Sequence, residues 1–454
     1  METFSRILDL LILALYDNLV LLHIMHMKGE SFMQYSEMST EMRNAELKAL
    51  REEYENVKAQ KLSLNMARGK PDKQQLDIVN GMFDVLKNDS DFMCDGMDVR
   101  NYGELLGLPS ARKLFADLLD TTPDRVFAGG NSSLTLMYTL LSMACTNGLK
   151  NSPRPWSMEP DRKFLCPAPG YDRHFLVTES LGFELITIPM TENGPDMDLV
   201  EKYVSDPSVK GIWCVPKYSN PDGIVYSDET LTRLTQMRPA APDFTVMWDN
   251  AYCVHEFACD YRPFTDILGL AEKNGTEDLF YEFASTSKIT LPGAGVACMA
   301  CSVSNLNYLK KLLNAAMISF DKVNQYRHVL YLKDKAGILE LMKKHANVVA
   351  PKFDLVLRKL DNELKPLGIA KYTRPVGGYF VSFYGPKGTA KRVWQLCKEA
   401  GVVLTNAGAA YPHGIDPDDS HIRIAPTLPP IAELEKAMDV FCLCVRIASL
   451  EQAE

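Results

Sequence analysis

The chain opens on an apolar run from Ile7 to Ile24 that is interrupted by Asp9, Asp17 and Asn18. Two acids inside a span that would need about 20 apolar residues are costly in hydrocarbon, and no small-residue cleavage site follows. The run therefore predicts an extension over residues 1–34, not a membrane anchor or signal peptide, with Met25, Met27 and Met33 as alternative starts. From Tyr35 to Leu62, the positions Met38, Met42, Leu47, Leu50 and Tyr54 recur among many charges. That spacing predicts an amphipathic helix.

Between Arg125 and Ala300 the pattern changes to short apolar runs separated by helix-length segments. The runs are Arg125–Ala128, Lys163–Cys166, Phe183–Ile188, Gly211–Val215, Phe244–Trp248, Leu279–Phe283 and Ala294–Ala300. Continuous short runs of this kind predict buried strands of a mostly parallel sheet with helical crossovers, hence an α/β domain. Beyond Val303 a long helical pattern runs from Leu313 to His345. A second helix-rich segment leads to an expected strand pair near Gly377–Tyr384 and Val402–Thr405, and a last helix starts behind Pro429–Pro430. The expected organisation is a large α/β domain over 96–325 and a smaller α+β domain over 326–454, with 35–95 packing against the smaller one.

Composition narrows the partners. Hydrophobic residues make up 46% and charged residues 24% of 454, which is ordinary globular usage. The formal charge is −9 and no basic block stands out, so small molecules are expected as partners and nucleic acid is not. Eleven scattered cysteines, an odd number, fit a reducing compartment, and the chain is read as cytoplasmic. Cys298 and Cys301 lie in a strand-like run where i and i+3 face opposite ways, so no metal site is expected there, and Cys442 and Cys444 carry no such reading either. The loop holding His413, Asp416, Asp418, Asp419 and His421 reads as a solvated turn. His174 and His255 receive no catalytic role.

In open α/β sheets ligands sit beyond the carboxyl ends of the strands. Four polar clusters fall there. Gly129-Gly130-Asn131-Ser132-Ser133 follows the first run, Asn220-Pro221-Asp222-Gly223 the fourth, Asp249 the fifth, and Ser285-Thr286-Ser287-Lys288 the sixth. Each alone is a common turn, cap or surface charge. Their order and spacing together carry the reading.

That order resembles the fold-type-I pyridoxal-phosphate enzymes of the class I aminotransferase type. The matching segments are Tyr102-Gly-Glu-Leu-Leu-Gly-Leu108, Gly129-Gly-Asn-Ser-Ser-Leu134, Pro167-Ala-Pro-Gly-Tyr171, Asn220 to Gly223, Asp249-Asn-Ala-Tyr252, Ser285 to Lys288, and Ile422-Arg-Ile-Ala-Pro426. The type Ic aspartate aminotransferases are most similar, through Ala67-Arg-Gly-Lys-Pro-Asp72 and Lys288-Ile-Thr-Leu-Pro-Gly-Ala-Gly295. The resemblance spans about Ala67 to Pro426. It implies a large domain with a mostly parallel seven-stranded sheet flanked by helices, plus the smaller α+β domain.

The resemblance implies pyridoxal 5'-phosphate as cofactor and assigns roles residue by residue. Lys288 would join the cofactor aldehyde and serve as proton carrier, because a desolvated amine is unprotonated and near working pH. Asp249 would keep the pyridine nitrogen protonated; Tyr252 and Asn220 would hydrogen-bond the ring oxygen; Tyr171 would stack on the ring. The phosphate would rest on backbone N–H groups at Gly130 and Asn131, with hydroxyls from Ser132 or Ser133 and from Ser285. Tyr102 would reach the phosphate of a neighbouring subunit, which implies a homodimer. Arg423 would grip the substrate α-carboxylate, Gly69 would let backbone approach the substrate, and Arg173 would take a second carboxylate. Most relatives carry an arginine about eight residues past the lysine; here that position is Val296. The implied activity is amino-group exchange, most readily between aspartate and 2-oxoglutarate. A lyase or decarboxylase on the same scaffold, or an aminotransferase for aromatic or aliphatic donors, stays open. A cofactor-sensing transcription regulator would need a DNA-binding module, and none is visible.

Overall fold

The structure, a computed structural model, describes residues 33–452. The apolar run Ile7–Ile24, Met25 and Met27 lie outside the described residues. Among the described residues no helix is long and apolar enough to cross a membrane.

Fifteen strands fall in chain order: β1 (Leu64–Asn65), β2 (Met93–Cys94), β3 (Met97–Asp98), β4 (Val126–Ala128), β5 (Lys163–Ala168), β6 (Glu184–Thr191), β7 (Gly194–Pro195), β8 (Val209–Cys214), β9 (Thr245–Asp249), β10 (Phe280–Ser285), β11 (Ala297–Cys301), β12 (Lys371–Tyr372), β13 (Val381–Tyr384), β14 (Val402–Val403) and β15 (His421–Ile424). The main sheet has the order β4-β11-β10-β9-β8-β5-β6-β7. All seven expected runs become strands within it. It has eight strands instead of seven because the two-residue β7 folds back antiparallel on the end of β6. The block β6-β5-β8-β9-β10 is parallel, and β11 runs against both β10 and β4. Strands β8, β9 and β11 are buried along their whole length, as continuous apolar runs require when helices cover both faces.

Two expectations for the carboxyl half are corrected. The helical pattern from Leu313 to His345 is not one helix. It is the end of Val303–Ala316, the whole of Lys322–Leu332 and the start of Lys335–Glu363. Asp321 and Asp334 cut it, each accepting a hydrogen bond from the N–H three residues on, and Lys333 turns left-handed at φ 66°. The segments Gly377–Tyr384 and Val402–Thr405 are not partners. β13 pairs antiparallel with β12 and β15, while β14 pairs parallel with β1. The second pairing delivers the chain from Asn65 to Lys70 to the site.

The first helix runs Thr40–Ala59, with the Ser39 hydroxyl accepting from Met42 N–H. Leu47, Leu50 and Tyr54 are buried as its periodicity predicts, whereas Met42 is exposed. Those three join Phe353, Leu434 and Phe441 in one core beside β13 and β15. The main sheet has separate cores on its two faces.

Candidate functional site

The carboxyl ends of the parallel strands and the β1/β14 pair enclose a cavity of about 590 Å³. Gly69, Ser132, Ser133, Tyr171, Arg173, Asn220, Asp249, Tyr252, Ser285, Lys288 and Arg423 all line it. These residues come from segments spread over more than 350 positions of sequence, and the sheet edge brings them together.

Lys288 closes a short 3-10 turn, Thr286–Lys288, directly after β10. Its Nζ stands 4.7 Å from the centroid of the Tyr252 ring. Burial pushes its amine below the ordinary lysine value, with the Asp249 carboxylate opposing. Burial also drives the Tyr252 phenol well above its usual range and the Tyr171 phenol up to about 12.

Asp249 ends β9 and is 3% exposed. Its Oδ2 lies 3.0 Å from His174 Nε2; an ionised carboxylate only accepts, so Nε2 is the nitrogen that carries the proton. The imidazole is stacked on Trp213 at 4.2 Å and 6°, which fixes its plane. The other carboxylate oxygen, Oδ1, is buried and has no hydrogen-bond partner. A buried unpaired acceptor costs about 1–3 kcal/mol, so this atom calls for a donor from a bound group.

Behind Asp249, Asn250 Nδ2 donates to Glu282 Oε1 at 2.9 Å, while Glu282 Oε2 has no partner. Burial raises the Glu282 carboxyl from 4.5 to about 8. A carboxyl raised on folding stabilises fully below pH 4.5, and that contribution is lost as pH climbs through about 8. The melting temperature of the protein is expected to fall between pH 5 and pH 9 by several degrees more than that of Glu282→Gln. Differential scanning fluorimetry over that range checks it, and parallel profiles would mean that Glu282 does not ionise there.

Arg423 sits in β15 with its guanidinium 4.8 Å from the Phe380 ring centroid. Nη1 donates to Asn220 Oδ1 and Asp172 Oδ1, both at 3.2 Å, and Nη2 to Thr405 Oγ1 at 3.4 Å; Nε is buried without a partner. Asn220 thus spends its oxygen on Arg423 and keeps its Nδ2 as donor. Gly69 is required by Phe380, since a Cβ there would stand 2.6 Å from Phe380 Cζ. The ring, more than any substrate, accounts for the glycine.

Gly130 and Asn131, expected to cradle a phosphate, do not line this cavity. The helix begins at Ser133, with Ser132 before it, so its first amides at the cavity wall belong to Ser133 and Leu134. Gly130 and Asn131 line a neighbouring cavity of about 280 Å³, and their carbonyls accept from Ala297 N–H and Ser287 Oγ. Tyr102 is 80% exposed and does not line the cavity of its own chain.

Sequence reasoning missed His174, Asp172, Arg68 and Lys70. His174 and Asp172 follow Tyr171 by three and one residues, so an i, i+3 reading of the helix start would have placed the histidine beside Tyr171, where the two ring centroids lie 4.9 Å apart. Arg68 and Lys70 flank Gly69 inside a motif already singled out. With them the cavity holds, besides Lys288, four cationic side chains, Arg68, Lys70, Arg173 and Arg423, against two carboxylates, Asp172 and Asp249. Arg68, Lys70 and Arg173 form no ion pair among the described residues. In a chain of net charge −9, this concentrates positive potential in one cleft and favours a ligand with several negative groups. A buried amine whose charged form is disfavoured, an unpaired buried carboxylate oxygen and surplus cations fit a phosphorylated aldehyde with a basic ring nitrogen.

The sequence profile of the family described as Aspartate amino-transferase matches residues 38–454. An aspartate aminotransferase from Corynebacterium glutamicum is 45% identical over 403 residues, covering 88% of this chain and 93% of the relative. The crystal structure of an aspartate transaminase from Corynebacterium glutamicum superposes with a TM-score of 0.91 at 43% identity, covering 93% of this chain and 100% of that one. An α-aminoadipate aminotransferase from Thermus thermophilus, crystallised with N-(5'-phosphopyridoxyl)-L-leucine, shares the fold at a TM-score of 0.69 and 21% identity over 86% of this chain and 94% of that one.

Proposed function

The chain belongs to the aspartate amino-transferase family, and from that premise we propose that it exchanges the amino group of L-aspartate with 2-oxoglutarate on a pyridoxal phosphate held by Lys288. It is an aminotransferase of small amino and oxo acids; the donor, the acceptor and the residue roles are the proposal. The observation that carries it is the pairing, in one cavity, of the buried Lys288 amine with the orphaned Asp249 Oδ1.

When bound, the cofactor supplies an electron-withdrawing ring that makes the α-proton of the amino acid acidic. Lys288 Nζ, whose ammonium form burial disfavours, would be the base for that proton. Asp249 would offer Oδ1 to the ring N–H, its carboxylate held in line by His174 at Oδ2. Tyr252 and Asn220 Nδ2 would be the donors for the ring oxygen, and Tyr171 would pack on the ring face. Ser132, Ser133, Ser285 and the Gly130–Asn131 turn would hold the phosphate. Tyr102 would reach it across a two-fold interface, a role its exposure supports, and the protein would be a cytoplasmic homodimer. Residues 96–325 would serve as the cofactor-binding domain and 326–454 with 35–95 as the small one; the core shared between Tyr54 and Phe441 supports this for the first helix, whereas Val79, Leu332, Ile338 and Met342 pack into a core of the main sheet.

Arg423 binds the α-carboxylate by exchanging Asp172 for the substrate, and Arg173 takes the distal carboxylate. Replacing a bidentate guanidinium by a point charge is not conservative. Arg423→Lys is expected to raise KM for the amino donor by roughly 10–100-fold with a smaller change in kcat, read from initial rates. A KM unchanged within about threefold removes the assignment.

The deciding experiment is a screen of amino donors against 2-oxoglutarate with glutamate as the measured product. Aspartate should be turned over fastest. Faster turnover of aromatic or aliphatic donors would end the dicarboxylate reading, and release of ammonia or carbon dioxide in place of glutamate would point to a lyase or decarboxylase.

A further inference from the structure

We propose that Arg327 supplies the phosphate counter-charge that relatives place eight residues beyond the lysine and that this chain lacks at Val296. The inference rests on the proposed cofactor and concerns which side chain neutralises its phosphate.

The helix Lys322–Leu332 grips every loop that shapes the phosphate end of the site. Lys322 Nζ donates to the carbonyls of Asn101 and, at 3.0 Å, Gly103, on either side of Tyr102. Asn324 Nδ2 donates to Ala294 O at 3.1 Å and Gly295 O at 3.0 Å, inside the glycine-rich segment after Lys288. Gln325 accepts from Leu108 N–H and donates to Ala128 O at the end of β4. His328 Nε2 meets the hydroxyls of Thr286 and Thr290, which bracket Lys288, at 3.1 and 2.9 Å. One helix therefore ties together the turn after β4, the lysine turn, the glycine-rich segment and the Tyr102 loop.

Arg327 lies in the middle of this helix and lines the 280 Å³ cavity together with Gly130, Asn131 and the segment Gly293–Val296. Val296 occupies the position of the absent arginine, and no side chain of positive charge comes from its strand. The guanidinium is only part-used. Nη2 donates to Asn324 Oδ1 at 2.6 Å, Nε is buried without a partner, and no carboxylate pairs with it among the described residues. Asp321 lines the same cavity, but its Oδ1 accepts from Asn324 N–H at 2.9 Å as a helix cap. One hydrogen bond links the linings of the two cavities: Asn131, in the smaller, accepts through its carbonyl at 3.4 Å from the Oγ of Ser287, which lines the main one. A planar fork with donors to spare, next to the Gly130–Asn131 turn, suits a phosphate dianion.

The alternative is a structural arginine packed over Phe83, 5.9 Å from its ring centroid. Equilibrium titration of the cofactor-free full chain with pyridoxal phosphate and, separately, with pyridoxal distinguishes the two, with the visible absorbance of the lysine-bound chromophore as readout. Arg327→Gln is expected to weaken pyridoxal phosphate binding by roughly 10–100-fold and to leave pyridoxal binding unchanged. Arg327→Lys, which keeps the charge without the fork, should fall between the two and serves if the glutamine variant does not fold. Equal weakening of both ligands, or no weakening of pyridoxal phosphate in either variant, overturns the proposal. Failure of the unsubstituted chain to bind pyridoxal phosphate overturns the proposed function as well, so the two outcomes are separable.

Discussion

Lys288→Ala is expected to lower transamination turnover by roughly 10⁴-fold or more, because the proposed function gives one amine both the anchoring of the cofactor and the movement of the α-proton. No other group in the cavity can take over. Lys70 is the other amine that lines it, and it is exposed, without the burial that disfavours the charged form of Lys288. Folding should survive, since Lys288 Nζ makes no hydrogen bond or ion pair and its contact is with the face of Tyr252. Removing a buried ionisable group relieves a desolvation penalty, so the melting temperature should hold or rise. Turnover at saturating aspartate, together with the visible spectrum of the variant in pyridoxal phosphate, checks this. A variant that keeps the lysine-linked absorbance, or retains more than about 1% of the rate, would show that the anchor lies elsewhere.

Asp249→Asn is the second large effect, with kcat expected to drop by roughly 10²–10⁴-fold while the donor KM changes little. The substitution keeps shape and removes charge. A carboxylate beside the ring nitrogen favours its protonated form, and an amide does not. The loss is sharpened by His174, whose Nε2–H is aimed at Oδ2 from 3.0 Å and whose ring cannot turn away from Trp213 at 4.2 Å. The asparagine must present its oxygen to that imidazole, which leaves its NH2 facing the place where Oδ1 now waits for a donor. The ring nitrogen would then meet a donor instead of an acceptor. Steady-state kinetics with aspartate gives the measurement; a kcat within about threefold of the unsubstituted enzyme would show that Asp249 does not serve the ring.

Much of the main sheet was legible in the chain because its strands are buried on both faces. Val209–Cys214 and Thr245–Asp249 read as continuous apolar runs, and nothing else in that stretch has their length and flanking turns. The polar clusters behind them were legible for a related reason, since a residue that follows a buried strand directly emerges at the carboxyl edge. Lys288 and Asp249 needed no tertiary information to be picked out, but their place behind β10 and β9 counted only as part of the ordered set of motifs that resembles the aminotransferases.

Helix breaks were less visible. The apolar period continues across Asp321 and Asp334, and periodicity alone does not register that an aspartate has been used as a cap. Strand partners in the small domain were invisible for a topological reason. β13 and β15 are separated by β14, which instead joins β1 from the other end of the chain. Nearness in sequence favoured the wrong pair.

The order of chemical groups along the chain was readable from the amino-acid sequence alone, because each group sits within a few residues of an element that local patterning identifies; the expectation that a lysine, an aspartate and an arginine serve one cofactor came from the family that this order resembles. The contacts that give those groups their properties came only with the tertiary structure. His174 against Asp249, Asp172 against Arg423, and Arg327 beside the Gly130 turn join residues 75, 251 and about 200 positions apart. Local sequence specifies which way a side chain leaves its own backbone. What it meets there depends on the packing of distant segments, and desolvation, the cause of the lowered Lys288 amine, exists only once those segments have closed around it.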